Sequence, residues 1–469
     1  MRSPRLRTEN LRDLAVGDRR LLFHVPTTSL FELDTVGGAV LDALGHGDRP
    51  EDLDGWARDD VRDALDSFER LDLLERAPVP AKRLPRPVQD DALTSLVLNV
   101  TTGCNLRCTY CYKEDLGRPA EARRLSAETA EAAIELLLSR SGRQRRVNLT
   151  FFGGEPLTNM EVIRHSVAYA DRRAAETGKA IDYALTTNAT LLDDGLIDYF
   201  DQHRFGLTIS IDGPQPVHDR NRRGIGGAGT YAIVANRIDR LLGRYRSRPV
   251  GARVTLADGI TDVVGIHRHL KDELGFAEVG FAPVTAGLPA GFGLNEAETR
   301  QVFDGLKALG ERYRDAAIQG IDIGFSNLSR LLRAIDEGTG RILPCGAGLS
   351  LLAVDTEGAV HSCHRFVGTA VAPLGDLATG VDNAARDRFI DRAQTRAETF
   401  CSGCHARHLC AGGCYHESYT RHGDPFRPTD HYCDLMREWV DFGIAIYAQI
   451  MAGNPEFLGR HSEPRRANP

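Results

Sequence analysis

The sequence contains no long apolar run and no excess of positive charge. No stretch of its 469 residues approaches the roughly eighteen consecutive apolar residues of a membrane-spanning helix. The basic start of the chain lacks the apolar stretch and small-residue cleavage site of a secretory signal. Lys and Arg number 58 against 65 Asp and Glu, a net charge of −7, which argues against a broad nucleic-acid-binding surface. We therefore expect a cytoplasmic protein with no membrane or nucleic-acid partner.

Cysteine is sparse but strongly clustered. The chain has ten cysteines, of which three lie between residues 104 and 111 and seven lie after residue 340. In the reducing cytosol, such clusters are typical of metal binding or catalysis rather than of disulfide bonds. The 42% hydrophobic content is ordinary for a globular protein, and the length suits two or three domains.

The chain divides into five predicted segments, which are residues 1–78, 79–92, 93–340, 341–435 and 436–469. The first is a small domain with two strands followed by two helices, predicted at 20–25, 29–34, 37–45 and 57–75. The helix at 57–75 has an apolar face made of Val61, Ala64, Leu65, Phe68 and Leu71. The second segment is a proline-rich linker, the fourth is rich in loops, and the fifth is a helix with a tail predicted to be disordered after Gly453.

The third segment alternates strand-like and helical patterns. Its six β-branched or aromatic runs are "LVLNV", "VNLTFF", "IDYALTT", "FGLTISI", "GARVTL" and "EVGFAPV". A helical pattern follows each run, as at 126–140, where Ser126 is the expected N-cap. Six such units predict an α/β fold with a parallel sheet, either open or closed into a full or partial barrel. In these folds the chemistry lies where the strands end.

Three thiols follow the first of these strands. Cys104, Cys108 and Cys111 are spaced Cx3Cx2C, which can turn three thiolates toward one soft metal centre. A [4Fe–4S] cluster has four irons, so three thiolates leave one iron open. A structural zinc ion would need a fourth ligand nearby. Zinc and a chance grouping stay open as alternatives at this point.

The motif resembles the signature of the radical S-adenosylmethionine (SAM) superfamily, with Tyr110 at its aromatic position. The resemblance implies a partial (β/α)6 radical SAM barrel in which SAM chelates the open iron. Reductive cleavage of SAM then gives a 5′-deoxyadenosyl radical that abstracts a hydrogen atom. Four further matches follow successive strands, so the resemblance implies SAM contacts from Tyr110, Gly153, Gly154, Glu155, Pro156, Thr187, Asn188, Ser210 and Asp212.

The seven later cysteines lie at Cys345, Cys363, Cys401, Cys404, Cys410, Cys414 and Cys433. The run "CSGCH" matches a c-type haem attachment motif, and two zinc sites would accept the same ligands. The pattern is also similar to the SPASM domain of peptide-modifying radical SAM enzymes. That resemblance implies two auxiliary [4Fe–4S] clusters and hence three in all. It assigns Cys401, Cys404, Cys410 and Cys433 to the outer cluster, and Cys345, Cys363 and Cys414 to the inner one.

The inner cluster is predicted to lack one ligand. Relatives that mature sulfatases carry an extra cysteine where this chain has Leu351. We therefore expect an open iron, unless His361 or His364 fills the position. An open iron could bind a substrate thiolate and lower its pKa. His364 also stands where that family carries a catalytic Asp, so the resemblance identifies no catalytic residue here.

The front domain resembles the PqqD-like peptide-recognition module, which adds a leader peptide as a strand at a sheet edge. A structural N-terminal cap is the alternative. The front domain and the seven later cysteines together are most similar to those of the quinohemoprotein amine dehydrogenase maturation proteins. That resemblance implies thioether bonds between a Cys sulfur and an Asp or Glu methylene carbon of a small protein or peptide. It also implies an electron donor such as a flavodoxin or ferredoxin.

Two other functions stay open. One is a formylglycine-type sulfatase maturase or another SPASM peptide-modifying enzyme. The other is a non-catalytic zinc or iron–sulfur scaffold that binds peptides and has no need of the SAM contacts. The run "GIGGAG" at 224–229 is predicted to be a flexible loop rather than a dinucleotide site, and His267 and His269 are predicted to be solvated helix residues.

Overall fold

The computed structural model describes residues 4–75, 92–113, 122–284 and 291–462, with side chains up to residue 459. The predicted linker at 79–92 lies almost wholly outside these residues. Among the helices of these ranges, none is long and apolar enough to cross a membrane.

The front domain is a three-stranded antiparallel sheet packed on two helices. Its elements are β1 (Arg5–Leu6), β2 (Leu11–Val16), β3 (Arg19–His24), β4 (Ser29–Leu33), α1 (Thr35–His46), α2 (Arg58–Arg70) and β5 (Leu74–Glu75). The sheet order is β2–β3–β4, and β1 pairs with β5. The two strands and two helices predicted here are present, but the second helix ends at Arg70 rather than at 75, because β5 follows it. Strands β1, β2 and β5 were not predicted. Val61 and Phe68 of α2 are buried against Leu22 of β3 and Val40 of α1, as the apolar face of that helix requires.

The central sheet carries the six predicted strands in chain order. They are β6 (Ser95–Thr101), β7 (Arg146–Gly153), β8 (Ala180–Thr187), β9 (Gly206–Ser210), β10 (Gly251–Leu256) and β11 (Glu278–Pro283). All adjacent pairs in this series are parallel. The α/β prediction with a parallel sheet is therefore confirmed. Because parallel strands end at the same edge, the loops after β6 to β9 lie side by side.

Helices connect these strands or follow the last of them, because neighbouring parallel strands need crossover connections. They are α3 (Ala127–Arg140), α4 (Met160–Thr177), α5 (Asp194–Gln202), α6 (Gln215–Asn221), α7 (Tyr231–Arg244), α8 (Val263–Arg268), α9 (Glu296–Ile318) and α10 (Ser326–Asp336). Ser126 is the N-cap of α3, as predicted, because its Oγ accepts a hydrogen bond from Thr129 N at 3.1 Å. The apolar faces of the helices cover one face of the sheet in a continuous core.

The C-terminal region extends the same sheet. Its elements are β12 (Leu351–Val354), β13 (Val360–His361), β14 (Gly375–Asp376), β15 (Gly380–Val381), α11 (Asn383–Thr399), α12 (Arg407–Cys410), α13 (Tyr415–His422), α14 (Cys433–Gly453) and α15 (Glu456–Ser462). Strand β12 pairs in parallel with β6, and β13 pairs antiparallel with β12. The sheet therefore crosses the domain boundary predicted at residue 340. This continuity fixes the position of Cys363, which follows β13.

The front domain is tied to the C-terminal region by polar contacts. Arg12 on β2 forms an ion pair of 2.7 Å with Asp441 on α14, and His405 reaches the same carboxylate at 3.0 Å. Arg407 Nη2 donates to Asn10 Oδ1 at 3.1 Å. The front domain therefore contacts the cysteine-rich segment directly.

Two expectations are wrong. His267 and His269 are buried rather than solvated, because the His267 ring reaches the carbonyl of Ile323 and the His269 ring lies between Tyr231 and Glu273. The residues after Gly453 are not disordered as far as residue 462, since α15 follows and buries Phe457 against the core.

Candidate cluster and cofactor site

The three-cysteine loop after β6 is fixed by a neighbouring segment. Arg107 N donates to Arg223 O at 2.8 Å, and Thr109 N donates to Asn221 O at 3.0 Å. The run 224–229 forms a turn in which Gly224 pairs with Leu106 of the loop. It is thus part of the support of the cysteine loop rather than a free loop.

The three thiols of this loop lie close together. Burial raises the pKa of Cys104 to about 12, and the thiols of Cys108 and Cys111 raise it in the same direction. Burial likewise raises the pKa of Cys108 to about 11. Three mutually close, partly buried sulfurs are a soft donor set that suits an iron–sulfur cluster. That these thiols bind a cluster stays a prediction.

Two glycines bring the end of β7 against this loop. Gly153 has φ +146°, and a Cβ there would lie 2.4 Å from the carbonyl oxygen of Thr101. A Cβ on Gly154 would lie 2.2 Å from the carbonyl oxygen of Gly103. Only glycine fits such approaches. The close approach in the structure is therefore to the cysteine loop, and contact with SAM stays a prediction.

The Glu155 carboxylate organises the ends of β7 and β8. It accepts hydrogen bonds from Thr187 Oγ1 at 2.6 Å, Asn188 N at 2.8 Å and Leu157 N at 3.1 Å. Burial raises its pKa to about 7, and these three donors oppose that rise. The buried Pro156 begins the turn that follows. The Glu155 side chain therefore positions the ends of β7 and β8. The backbone N of Glu155 donates a hydrogen bond to the cysteine loop.

Asn188 links this network to the cysteine loop. Its Nδ2 donates to Asn105 Oδ1 at 3.0 Å, and Asn105 Nδ2 donates to Thr190 Oγ1 at 2.8 Å. Asn105 and Thr190 were not predicted as site residues. The side chains predicted to contact SAM from β7 and β8 are thus brought together with the three-cysteine loop.

Asp212, after β9, lies in a buried polar cluster with Tyr110. The Tyr110 hydroxyl donates to Asp212 Oδ2. Arg222 Nε lies 3.0 Å from the same oxygen, and Thr255 N donates to Oδ1 at 3.0 Å. Ser210 is half-buried at the end of β9. Arg222 was not predicted as a site residue, because arginine is usually exposed and the local sequence does not indicate that this one is buried.

We expect Asp212→Ala to destabilise the protein by about 3–5 kcal/mol, because it leaves the Arg222 guanidinium buried without its partner. Asp212 is 0% exposed, so water cannot replace the lost carboxylate. The matched control is Asp198→Ala, which removes an exposed 2.6 Å ion pair with Arg244 and should leave the free energy of unfolding unchanged within error. Urea unfolding of the cluster-free protein measures both. Equal losses in the two variants would contradict the role given to Asp212.

The seven later thiols fall into two groups. Burial raises the pKa of Cys410 to about 11, and the nearby thiols that raise it further are those of Cys401, Cys433 and Cys404. Burial also raises the pKa of Cys363 to about 12, and its neighbouring thiols are Cys345 and Cys414. The same division was expected from the sequence for the outer and inner sets, and the binding of a cluster by either set stays a prediction. Among the residues that the structure describes, no group of three or more His, Cys, Asp or Glu side chains is preformed for a single metal ion.

The two histidines named for the inner group differ in their surroundings. His361 Nε2 lies 2.9 Å from Asp355 Oδ2 and is therefore paired away from the thiols. His364 Nδ1 lies 3.6 Å from Cys363 Sγ, and its ring packs on Phe152 with centroids 4.5 Å apart. Burial lowers the pKa of His364 to about 3, so its ring is neutral. Of the two, only His364 lies next to an inner-group sulfur.

Tyr112 and Arg365 join the first thiol group to the inner one. Tyr112 directly follows the three-cysteine motif, and the Arg365 guanidinium carbon lies 4.5 Å from the centre of its ring. Arg365 Nη1 donates to Cys414 Sγ at 3.6 Å. Neither residue was predicted from the sequence, because their contact depends on segments that lie far apart in the chain. The two thiol groups are therefore linked through one aromatic ring and one guanidinium.

Comparisons with known proteins give one matching family model and several similar enzymes. Residues 98–263 match the model of the radical SAM superfamily. The cysteine-type anaerobic sulfatase-maturating enzyme of Clostridium perfringens is 22% identical over 364 residues, which cover 75% of this chain and 96% of that protein.

Two solved structures share the fold. Native anSMEcpe with bound AdoMet and Cp18Cys peptide matches with a TM-score of 0.65 at 20% identity, covering 77% of this chain and 99% of that one. Streptococcus suis SuiB bound to precursor peptide SuiA matches with a TM-score of 0.51 at 13% identity, covering 92% and 99%. Neither a c-type haem attachment site nor a chance grouping of cysteines would explain these matches. Residues 98–263 thus match the radical SAM superfamily, and the chain is an enzyme that is similar in sequence to the anaerobic sulfatase-maturating enzymes.

Proposed function

We propose that this enzyme is a radical SAM maturase that oxidises a side chain of a peptide or small protein. The observation that carries the proposal is the contact of Tyr112 and Arg365 between the three-cysteine loop and the inner thiol group. An enzyme that only cleaves SAM needs no second redox centre beside the first. A maturase does, because removing two hydrogens from a substrate leaves an electron to be accepted after the first hydrogen atom has gone.

The donor sets fit the groups that this chemistry needs. Cys104, Cys108 and Cys111 would hold the SAM-binding [4Fe–4S] cluster, and the seven later cysteines would hold two auxiliary clusters, the inner one with an open iron. When bound, SAM and its cluster supply one-electron reduction and hydrogen-atom abstraction. The protein fixes the cysteine loop through Gly153, Gly154 and Asn105 and buries the polar groups around it.

Formylglycine formation is the reaction that the comparisons favour over thioether formation. The Clostridium perfringens relative is a cysteine-type sulfatase-maturating enzyme and covers 75% of this chain. On a cysteine, the reaction would remove two hydrogens, one from the side-chain methylene carbon and one from the thiol, and give a thioaldehyde. Water would then release hydrogen sulfide and leave the aldehyde. One hydrogen atom would leave with 5′-deoxyadenosine, and the other would leave as a proton and an electron. The auxiliary clusters that the seven later cysteines would hold would supply the acceptor for that electron.

Thioether formation is the second candidate, favoured by the front domain. The SuiB match covers 92% of this chain and leaves 8% uncovered. Because 8% of the chain is fewer residues than the 78 of the front domain, the match includes part of that domain. A module of this kind would bind a leader segment at the free edge of β4. The absence of an eighth cysteine at Leu351 would leave an iron to hold a substrate thiolate. This reaction also removes two hydrogens, one from sulfur and one from carbon, and joins the two atoms.

The product separates the two candidates. Anaerobically reconstituted enzyme is incubated with SAM, dithionite and a series of cysteine-containing peptides, and each peptide is analysed by mass spectrometry. An aldehyde that reacts with a hydrazide probe indicates formylglycine, whereas loss of a thiol with a new intrapeptide cross-link indicates a thioether. The control peptide carries Ala in place of each Cys. SAM cleavage that leaves every tested peptide unchanged would contradict the maturase proposal.

A further inference from the structure

Arg253 lies on the face of the central sheet opposite the helix-covered core, beside the start of α10, and has no counter-charge among the described residues. Ala252 and Val254 on β10 are buried in the helix-covered core, so Arg253 between them points to the opposite face, where it is exposed. Arg253 is in register with Ser210 on β9 and Gly280 on β11. A Cβ on Gly280 would lie 3.4 Å from Arg253 Nη1. The guanidinium therefore extends beside the bare backbone of β11.

Two more guanidinium groups act on Arg253, and α10 brings one of them near it. Ser326 Oγ and Arg253 Nη1 lie 2.7 and 3.4 Å from the Cβ position of Gly280, and Arg330 is about one helical turn beyond Ser326. Desolvation by the surrounding protein lowers the pKa of Arg253 to about 10, and the positive charges of Arg330 and Arg365 lower it in the same direction. Arg330 is an exposed residue of α10. That helix is fixed to β11, since Asn327 Nδ2 donates to Phe281 O at 2.9 Å. The charge of Arg330 is thus held near Arg253 by the fold rather than by a flexible loop.

Only two of these three arginines are available for a ligand. Arg365 already donates to Cys414 Sγ and lies over the Tyr112 ring. Within 4–75, 92–113, 122–284 and 291–462, neither the Arg253 guanidinium nor the Arg330 guanidinium forms a hydrogen bond or an ion pair. The charges that act on Arg253 are both positive. Like charges held together destabilise a protein unless an anion lies between them, and paired guanidinium groups suit the two oxygens of a carboxylate.

Resting on the proposed function, we infer that Arg253 and Arg330 form a carboxylate-binding site that receives an acidic side chain of the substrate peptide. The site lies beside the inner thiol group, because Arg365 is both a neighbour of Arg253 and the donor to Cys414. An Asp or Glu bound there would hold its residue close to both redox centres. The other source of the same chemistry is the methionine carboxylate of SAM.

The test measures peptide binding without turnover. Reconstituted, oxidised, SAM-loaded enzyme is titrated with the blocked peptides Ac-Gly-Glu-Gly-NH2 and Ac-Gly-Gln-Gly-NH2 by calorimetry. We expect the Glu peptide to bind about tenfold more tightly, as charge-assisted hydrogen bonds allow. This preference should disappear in Arg253→Gln and Arg330→Gln and survive in part in Arg253→Lys, which keeps the charge. The control variant Arg143→Gln alters an exposed arginine that precedes β7, at the edge of the sheet where the parallel strands begin. This variant should keep the full preference.

Two results would overturn the inference. One is equal binding, or no binding, of the two peptides by the wild-type enzyme. The other is a tenfold loss of SAM affinity in Arg253→Gln or Arg330→Gln measured by equilibrium dialysis without peptide, since it would assign the site to the carboxylate of SAM. The proposed function is judged separately by SAM cleavage and peptide products. An enzyme that modifies its peptide but shows no Glu preference refutes only this inference.

Discussion

Replacement of Cys104, Cys108 and Cys111 by alanine is expected to abolish reductive SAM cleavage. Loss of an outer-shell partner of a metal ligand already costs about 10–100-fold, and this variant loses all three predicted ligands. The iron content should fall by about four of about twelve atoms per chain. Iron analysis and chromatographic quantification of 5′-deoxyadenosine measure the two effects.

The structure limits the ways in which this variant could fail for other reasons. The cysteine loop is fixed by backbone hydrogen bonds to the segment 221–224 and by Asn105, none of which involves a thiol. The fold around the loop should therefore persist, which circular dichroism can check. A variant that keeps its twelve irons and its SAM cleavage would show that these cysteines are not the ligands.

Replacement of Cys345, Cys363 and Cys414 by alanine is expected to have a different result. This variant should also lose about four irons and should keep the ability to cleave SAM. It should form no modified peptide, because the electron released after hydrogen abstraction has no acceptor near the substrate. Mass spectrometry of the peptide and 5′-deoxyadenosine formation are measured on the same reaction.

The two triple variants are matched controls for each other. Each removes three thiols and one predicted cluster, yet only the first should stop SAM cleavage. The contact of Arg365 with Cys414 on one side and with Tyr112 on the other is the structural reason to expect coupling between the two sites. If the inner-group variant modified the peptide at the wild-type rate, the auxiliary role of this group would be wrong.

The sequence predicted the elements well where one local pattern decides the outcome. The six strands of the central sheet, the N-cap at Ser126 and the apolar face of α2 all follow from periodicity and capping chemistry. Strand β2 was missed, since its run of Leu11–Val16 interleaves charged residues with few β-branched ones. The burial of His267 was missed because its partner is a backbone carbonyl 56 residues away.

The site was predicted less completely than the fold. The thiols and the residues at the strand ends could be found because their spacing in the chain carries the motif. Arg222, Tyr112 and Arg365 could not, since each acts through a contact between distant segments. The approach of Gly154 to the Gly103 carbonyl was not predicted either, because such a distance cannot be read from a sequence.

The most direct test of the account is the formation of 5′-deoxyadenosine by anaerobically reconstituted, dithionite-reduced enzyme, with metal analysis of the same sample. The account predicts 5′-deoxyadenosine from the wild-type protein, about twelve irons per chain, and neither SAM cleavage nor the full iron content in the Cys104, Cys108 and Cys111 variant. Absence of cleavage from protein that contains zinc in place of iron would contradict it and favour the peptide-binding scaffold.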